Sequence, residues 1–177
     1  ERESLERELQ TEGYVGLLRR LQRNEPFLRR FDDWMDVLSF MHGGTSDDPH
    51  KDGVLLPIVR AHGEDQDPRW RTILMCIFWP GLESVQWQKR AWDRDPDERW
   101  QNVIWAFLQA VCKLDLSKRC ERLVQKLIND TFHRLHDEYS RAWKHAERET
   151  ATDPEQLEES VGGEELDFDA MDLRASQ

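Results

Sequence analysis

Asp95 to Leu116 reads D-P-D-E-R-W-Q-N-V-I-W-A-F-L-Q-A-V-C-K-L-D-L. Asp95 is a good helix N-cap, Pro96 suits the first helical position, and Glu98 stands where it can reach back to the cap. Trp100, Val103, Ile104, Phe107, Leu108 and Val111 then recur at i, i+3, i+4, i+7, i+8 and i+11, the period of a helix with one buried face. The opposite side carries Glu98, Gln101, Asn102, Trp105 and Gln109. Amides around one large aromatic, with few charges, suit a surface that another protein covers. The competing reading packs Trp105 against the N-terminal helices of the same chain.

A second helix is expected from about Arg119 to Arg148, with Val124, Ile128, Leu135 and Tyr139 toward the core. Lys118, Arg119 and Arg122 surround the turn before it. Lys126, His133, Arg134, Arg141, Lys144 and Arg148 recur along it. Basic residues along one helix can follow a phosphate backbone, and Trp143 or Phe132 can stack on an unpaired base. Asp130, Asp137 and Glu138 interrupt the series, so a solvated helix face is the plainer alternative.

These two helices resemble the second conserved region of bacterial sigma factors, closest to the divergent extracytoplasmic-function class. The likeness runs from Asp95 to Arg148. It rests on Glu98-Arg99-Trp100-Gln101-Asn102-Val103 through Ala110-Val111, followed by the short turn Leu114-Asp115-Leu116. Asn102 stands where the family has an acid after its glutamine, and Leu116 where the turn has proline. The resemblance implies binding to the clamp of core RNA polymerase through Glu98, Gln101, Asn102, Trp105 and Gln109. It implies contact with promoter −10 DNA through Lys118, Arg119, Arg122, Lys126, His133, Arg134, Arg141, Trp143 and Lys144. It further implies work in the bacterial cytoplasm and an inhibitory partner of the anti-sigma kind.

The 177 residues are 38% hydrophobic and 34% charged, with a formal charge of −11, which argues against free nucleic-acid binding. The charge is unevenly spread. From Ala151 to Gln177 there are nine acids and one arginine, a net of −8, so the first 150 residues carry only −3. Between Cys112 and Arg148 nine Lys and Arg outnumber six Asp and Glu. The three cysteines form no C-x-x-C pair and read as buried free thiols in a reducing compartment. The longest apolar run, Ile73 to Trp79, is too short to span a membrane. His133 and His136 alone make a weak metal signal. No phosphate-binding glycine loop, zinc-protease helix or nucleophile elbow is present. Neither an enzyme nor a cofactor is expected.

Upstream, Ser4 to Arg23 reads as a helix weakened at Gly13 and Gly16. A second begins near Pro26 and ends at His42-Gly43-Gly44. Thr45 to Gly53 reads as a loop, and Pro57 limits Val54 to Val59 to a short piece. Asp67-Pro68 starts an apolar helix that Pro80-Gly81 interrupts and Leu82 to Trp92 resumes. No strand pattern is visible. The expectation is therefore an all-α chain in three parts: a helical N-terminal extension over 1–66, a sigma region 2-like domain over 67–149, and an acidic linker or tail over 150–177. The alternative function is a helical adaptor without a DNA role, favoured by the acidic total and the departures at Asn102 and Leu116.

Overall fold

The computed structural model describes residues 2–45, 48–65, 67–117 and 121–151, the last three as backbone only. Lys118 and Arg119 of the basic series, Cys120, and the acidic segment beyond residue 151 lie outside them. The described residues form seven α-helices and one 3-10 turn with no strand, so the chain is all-α as expected. The chain divides into two units, Glu1–Tyr139 and Ser140–Gln177.

In the first unit, the expected N-terminal helix is two, α1 (Arg2–Glu8) and α2 (Glu12–Asn24). The break falls at Leu9 to Thr11, ahead of the glycines, and buries Leu9 completely. Thr11 is extended there, and its hydroxyl donates to Glu8 O (2.8 Å). Pro26 opens a 3-10 turn, Pro26–Arg30, rather than a long helix. The Gln22 side chain donates to Phe31 O (2.8 Å) where that turn ends. Asp33 then caps α3 (Trp34–His42), accepting from Asp36 N (2.9 Å), while Asp36 accepts in return from Asp32 N (3.0 Å).

The sequence predicts breaks at both internal prolines, and neither occurs. α4 runs from Pro49–Asp65 through Pro57. A mid-helix proline costs about 3 kcal/mol. Burying Val54, Leu55, Ile58 and Val59 returns about 1.5–3 kcal/mol each, so burial wins. α5 (Arg69–Gln88) runs through Pro80. Proline has no N–H for the carbonyl four residues earlier, which is that of Cys76. His42 Nε2 supplies a donor instead, 3.0 Å from Cys76 O and 3.2 Å from Ile77 O.

α5 is the axis of this unit and packs against α1, α3, α4 and α6 (Pro96–Cys112). Phe78 meets Phe107 at 5.0 Å and Trp79 meets Trp100 at 4.9 Å between ring centroids. Gly81 lets α7 (Leu123–Ala151) come close, since a Cβ there would lie 2.5 Å from Ile128 Cδ1. On α7, Leu123, Leu127, Thr131 and Leu135 are buried at steps of four residues. Cys76 is buried, and burial pushes its thiol up to about 12. Cys112 is exposed, against the expectation, because it lies in the last turn of α6 beyond the packed face.

The start of α7 is fixed from a distance. Asp52 on α4 accepts from Arg122 N (2.6 Å) and Leu123 N (2.8 Å), and Arg122 has a left-handed φ of 55°. Asp52 thus caps a helix about 70 residues away, which no local pattern announces. Asp52→Ala is expected to cost about 1–2 kcal/mol in urea unfolding, the scale of a missing cap. Arg122→Gly is expected to cost nothing, since glycine adopts that φ without strain. A destabilisation by Arg122→Gly as large as that by Asp52→Ala would mean that the arginine side chain, not the cap, secures the turn.

In the second unit the described residues are the last turns of α7, and Arg141 to Arg148 are exposed. No helix among the described residues is long and apolar enough to cross a membrane.

Candidate partner-binding face and basic helix

Asp95 caps α6 as the sequence predicts, its Oδ1 accepting from Asp97 N (2.9 Å) and Glu98 N (3.2 Å). Val103, Ala106, Phe107, Ala110 and Val111 are buried, and this fixes which side faces out. Glu98, Gln101 and Trp105 are exposed on the outward side, and Asn102 and Gln109 are half-buried. Trp105 is 60% exposed, so the reading that packs it against the N-terminal helices does not hold. From Glu98 to Gln109 the stripe spans about 16 Å at the α-helical rise. Asn102 is turned partly inward, beside the Tyr139 hydroxyl. That hydroxyl donates to Asp93 Oδ2 (3.2 Å), and burial raises its pKa above the ordinary tyrosine value.

The basic series divides among several environments. In the first unit Arg122 is exposed at the turn, and Lys126 pairs with Asp130 (2.7 Å). His133 is exposed, while Arg134 is half-buried with its Nε buried and without a hydrogen-bond partner. Helical spacing puts Lys126, Asp130, His133 and Asp137 on one face, which is therefore of mixed sign. Phe132 is half-buried, and the Lys89 ammonium lies over its ring, 4.0 Å from the centroid. In the second unit Arg141, Trp143 and Lys144 are exposed, Trp143 at 66%.

Sequence reasoning passed over two features. Trp87, near the end of α5, is as exposed as Trp105, and the Arg90 guanidinium sits 4.2 Å above its ring. Its position between the core residues Leu82 and Val85 and the basic Lys89-Arg90 was the available signal. The second is Lys89, which is only 3% exposed. Its ammonium lies 4.0 Å from the Phe132 ring centroid, 4.7 Å from that of Trp92, and 3.2 Å from His136 Nδ1. Burial pushes its pKa below the ordinary lysine value, and the aromatic faces offset part of the desolvation cost. Nothing in the sequence marks this, because lysines are ordinarily exposed.

No protein-family model, curated protein or solved structure matches the chain.

Proposed function

We propose that this chain is a transcription-initiation protein of the sigma-factor type, acting in the bacterial cytoplasm. α6 docks on core RNA polymerase through Glu98, Gln101, Asn102, Trp105 and Gln109. α7 and the turn before it hold and help open promoter −10 DNA through Lys118, Arg119, Arg122, Lys126, His133, Arg134, Arg141, Trp143 and Lys144. The observation that carries the reading is the exposed Trp105 at the centre of an amide-rich stripe, on a helix whose other face is locked in the core. An aromatic so placed is the kind of anchor that dominates protein interfaces. The reaction needs no bond-making residue from this chain and no cofactor. An inhibitory protein covering the same stripe would regulate it.

A second reading, a helical adaptor without a DNA role, draws on the mixed sign of the Lys126 face and the ion pair to Asp130. Open-complex formation across a salt series separates the two. The combined variant Arg122→Gly, Lys126→Ala and Lys144→Ala is expected to bind polymerase normally and to open promoter DNA less. Its log–log salt dependence is expected to flatten by about 0.9 for each phosphate that the replaced side chains neutralise in the wild type. Equal opening with equal slopes would assign the basic series to solvent and leave the adaptor reading standing.

A further inference from the structure

Between Arg19 and Arg30 the chain places five arginines against one acid, Glu25, in a protein whose net charge is −11. Two of the five are engaged in holding the fold. Arg20 pairs with Asp65 and lies over the Trp70 ring, and the Arg30 guanidinium lies over Phe27, Phe31 and Phe40. The other three, Arg19, Arg23 and Arg29, are exposed and line one groove of about 620 Å³ together with Gly16 and Gln22. Gly16, Arg19 and Arg23 share one face of α2, and Arg29 enters the same groove from the 3-10 turn. Glu25 lines a different cavity, beside Arg20 and Arg60. Glu12, on the arginine face, stands about 10 Å along the helix from Arg19.

Arg29 is held in place. Its guanidinium donates to Gln22 O (2.8 Å) and Arg23 O (3.1 Å). Those carbonyls belong to the negative end of α2, which by itself would repel an anion, and Arg29 covers them with a positive charge. The makeup of the lining then decides the kind of ligand. No aliphatic or aromatic residue lines the groove among the described residues. A protein partner needs a central aromatic or apolar anchor, a membrane surface needs an apolar face, and a nucleic-acid base needs a ring to stack on. Guanidinium groups alone recognise phosphate, through paired charge-assisted hydrogen bonds.

We propose that Arg19, Arg23 and Arg29 form a site for linked phosphate groups, as carried by inorganic triphosphate or by the tail of a nucleoside triphosphate. Arg19 and Arg23 stand one turn apart, with Cβ atoms about 5–6 Å from each other, so they grip neighbouring phosphates. Arg29 completes the grip at the end of the helix. A single phosphate brings about −2, less than three guanidinium groups balance, which favours the linked form. The site lies on the N-terminal helices, apart from the α6 stripe, and does not depend on the function proposed above.

The test titrates the chain with inorganic triphosphate in low salt, followed by calorimetry and amide NMR. Saturable binding is expected, with shifts centred on Gly16 to Asn24 and Arg29. Orthophosphate is expected to bind about ten-fold more weakly, the scale of one charge-assisted hydrogen bond. ATP is expected to bind like triphosphate, because nothing in the groove stacks on its base. Arg19→Gln with Arg23→Gln is expected to weaken triphosphate about 100-fold. Gly16→Glu sets a carboxylate beside Arg19 and is expected to weaken it about ten-fold. A Cβ at Gly16 meets nothing within 4 Å and glycine is a poor helix former, so Gly16→Glu is expected to raise the thermal midpoint, and its loss of binding is not a loss of fold. Arg7→Gln with Arg94→Gln removes the same charge from exposed positions elsewhere and is expected to leave binding unchanged. Absence of saturable triphosphate binding would overturn the proposal, as would orthophosphate binding equally well, a marked advantage of ATP over triphosphate, or an equal loss in the Arg7 and Arg94 control. Tighter binding of a short oligothymidylate than of triphosphate, lost in the Arg19 and Arg23 variant, would give the face to nucleic acid and overturn it too.

Discussion

Trp34→Ala is expected to cost about 3–5 kcal/mol in urea unfolding, the range for truncating a buried tryptophan. Trp34 is 1% exposed at the start of α3. Its ring meets that of Trp70 on α5 edge to face at 6.5 Å, and its Nε1 donates to Tyr14 O on α2 (2.7 Å). One side chain thus ties three helices together. The core around it is continuous, running from Leu9 near the N-terminus to Leu135 on α7. Trp34→Phe keeps most of the volume but removes the hydrogen bond, and is expected to cost less, about 1–2 kcal/mol. A cost below about 1 kcal/mol for Trp34→Ala would mean that the N-terminal helices are secured elsewhere.

The second large effect concerns binding. Trp105→Ala combined with Gln101→Ala is expected to weaken the complex with core polymerase by at least about 2 kcal/mol, or about 30-fold. Both residues are exposed and neither supports the core, so the thermal midpoint should stay within the small range of surface substitutions. Glu98→Ala at the end of the same stripe is expected to matter less, because anchors near the centre of an interface dominate. An unchanged affinity with intact helicity would remove α6 from the interface.

What the sequence revealed and what it hid follow from how local each cause is. The extent and cap of α6 were readable, because Asp95-Pro96 and the apolar spacing are local signals, but the return bond expected from Glu98 is made instead by Asp93, which accepts from Asp95 N (3.0 Å). The helical character of α7 was readable for the same reason, but its start was not. Leu123 begins the helix because Asp52, far away in the chain, accepts its amide. Pro57 and Pro80 misled in the opposite direction. Local preference predicts a break at each, whereas burial around Pro57 and the His42 donor below Pro80 carry the helices through. Lys51 and Lys89 were invisible as buried residues, since nothing in the pattern around a lysine reports what packs over it. The ion pair of Lys126 with Asp130 was legible as an i, i+4 spacing, and it marks where the basic series is weakest.

The proposed function is tested most directly by equilibrium competition for core RNA polymerase. A labelled chain is titrated with bacterial core enzyme and then challenged with an unlabelled sigma factor of established function. Saturable binding, displacement by the sigma factor, and an affinity about 30-fold weaker for Trp105→Ala with Gln101→Ala are expected. Absence of binding, or a ternary complex in which the sigma factor and this chain sit on the core enzyme together without competing, would contradict it.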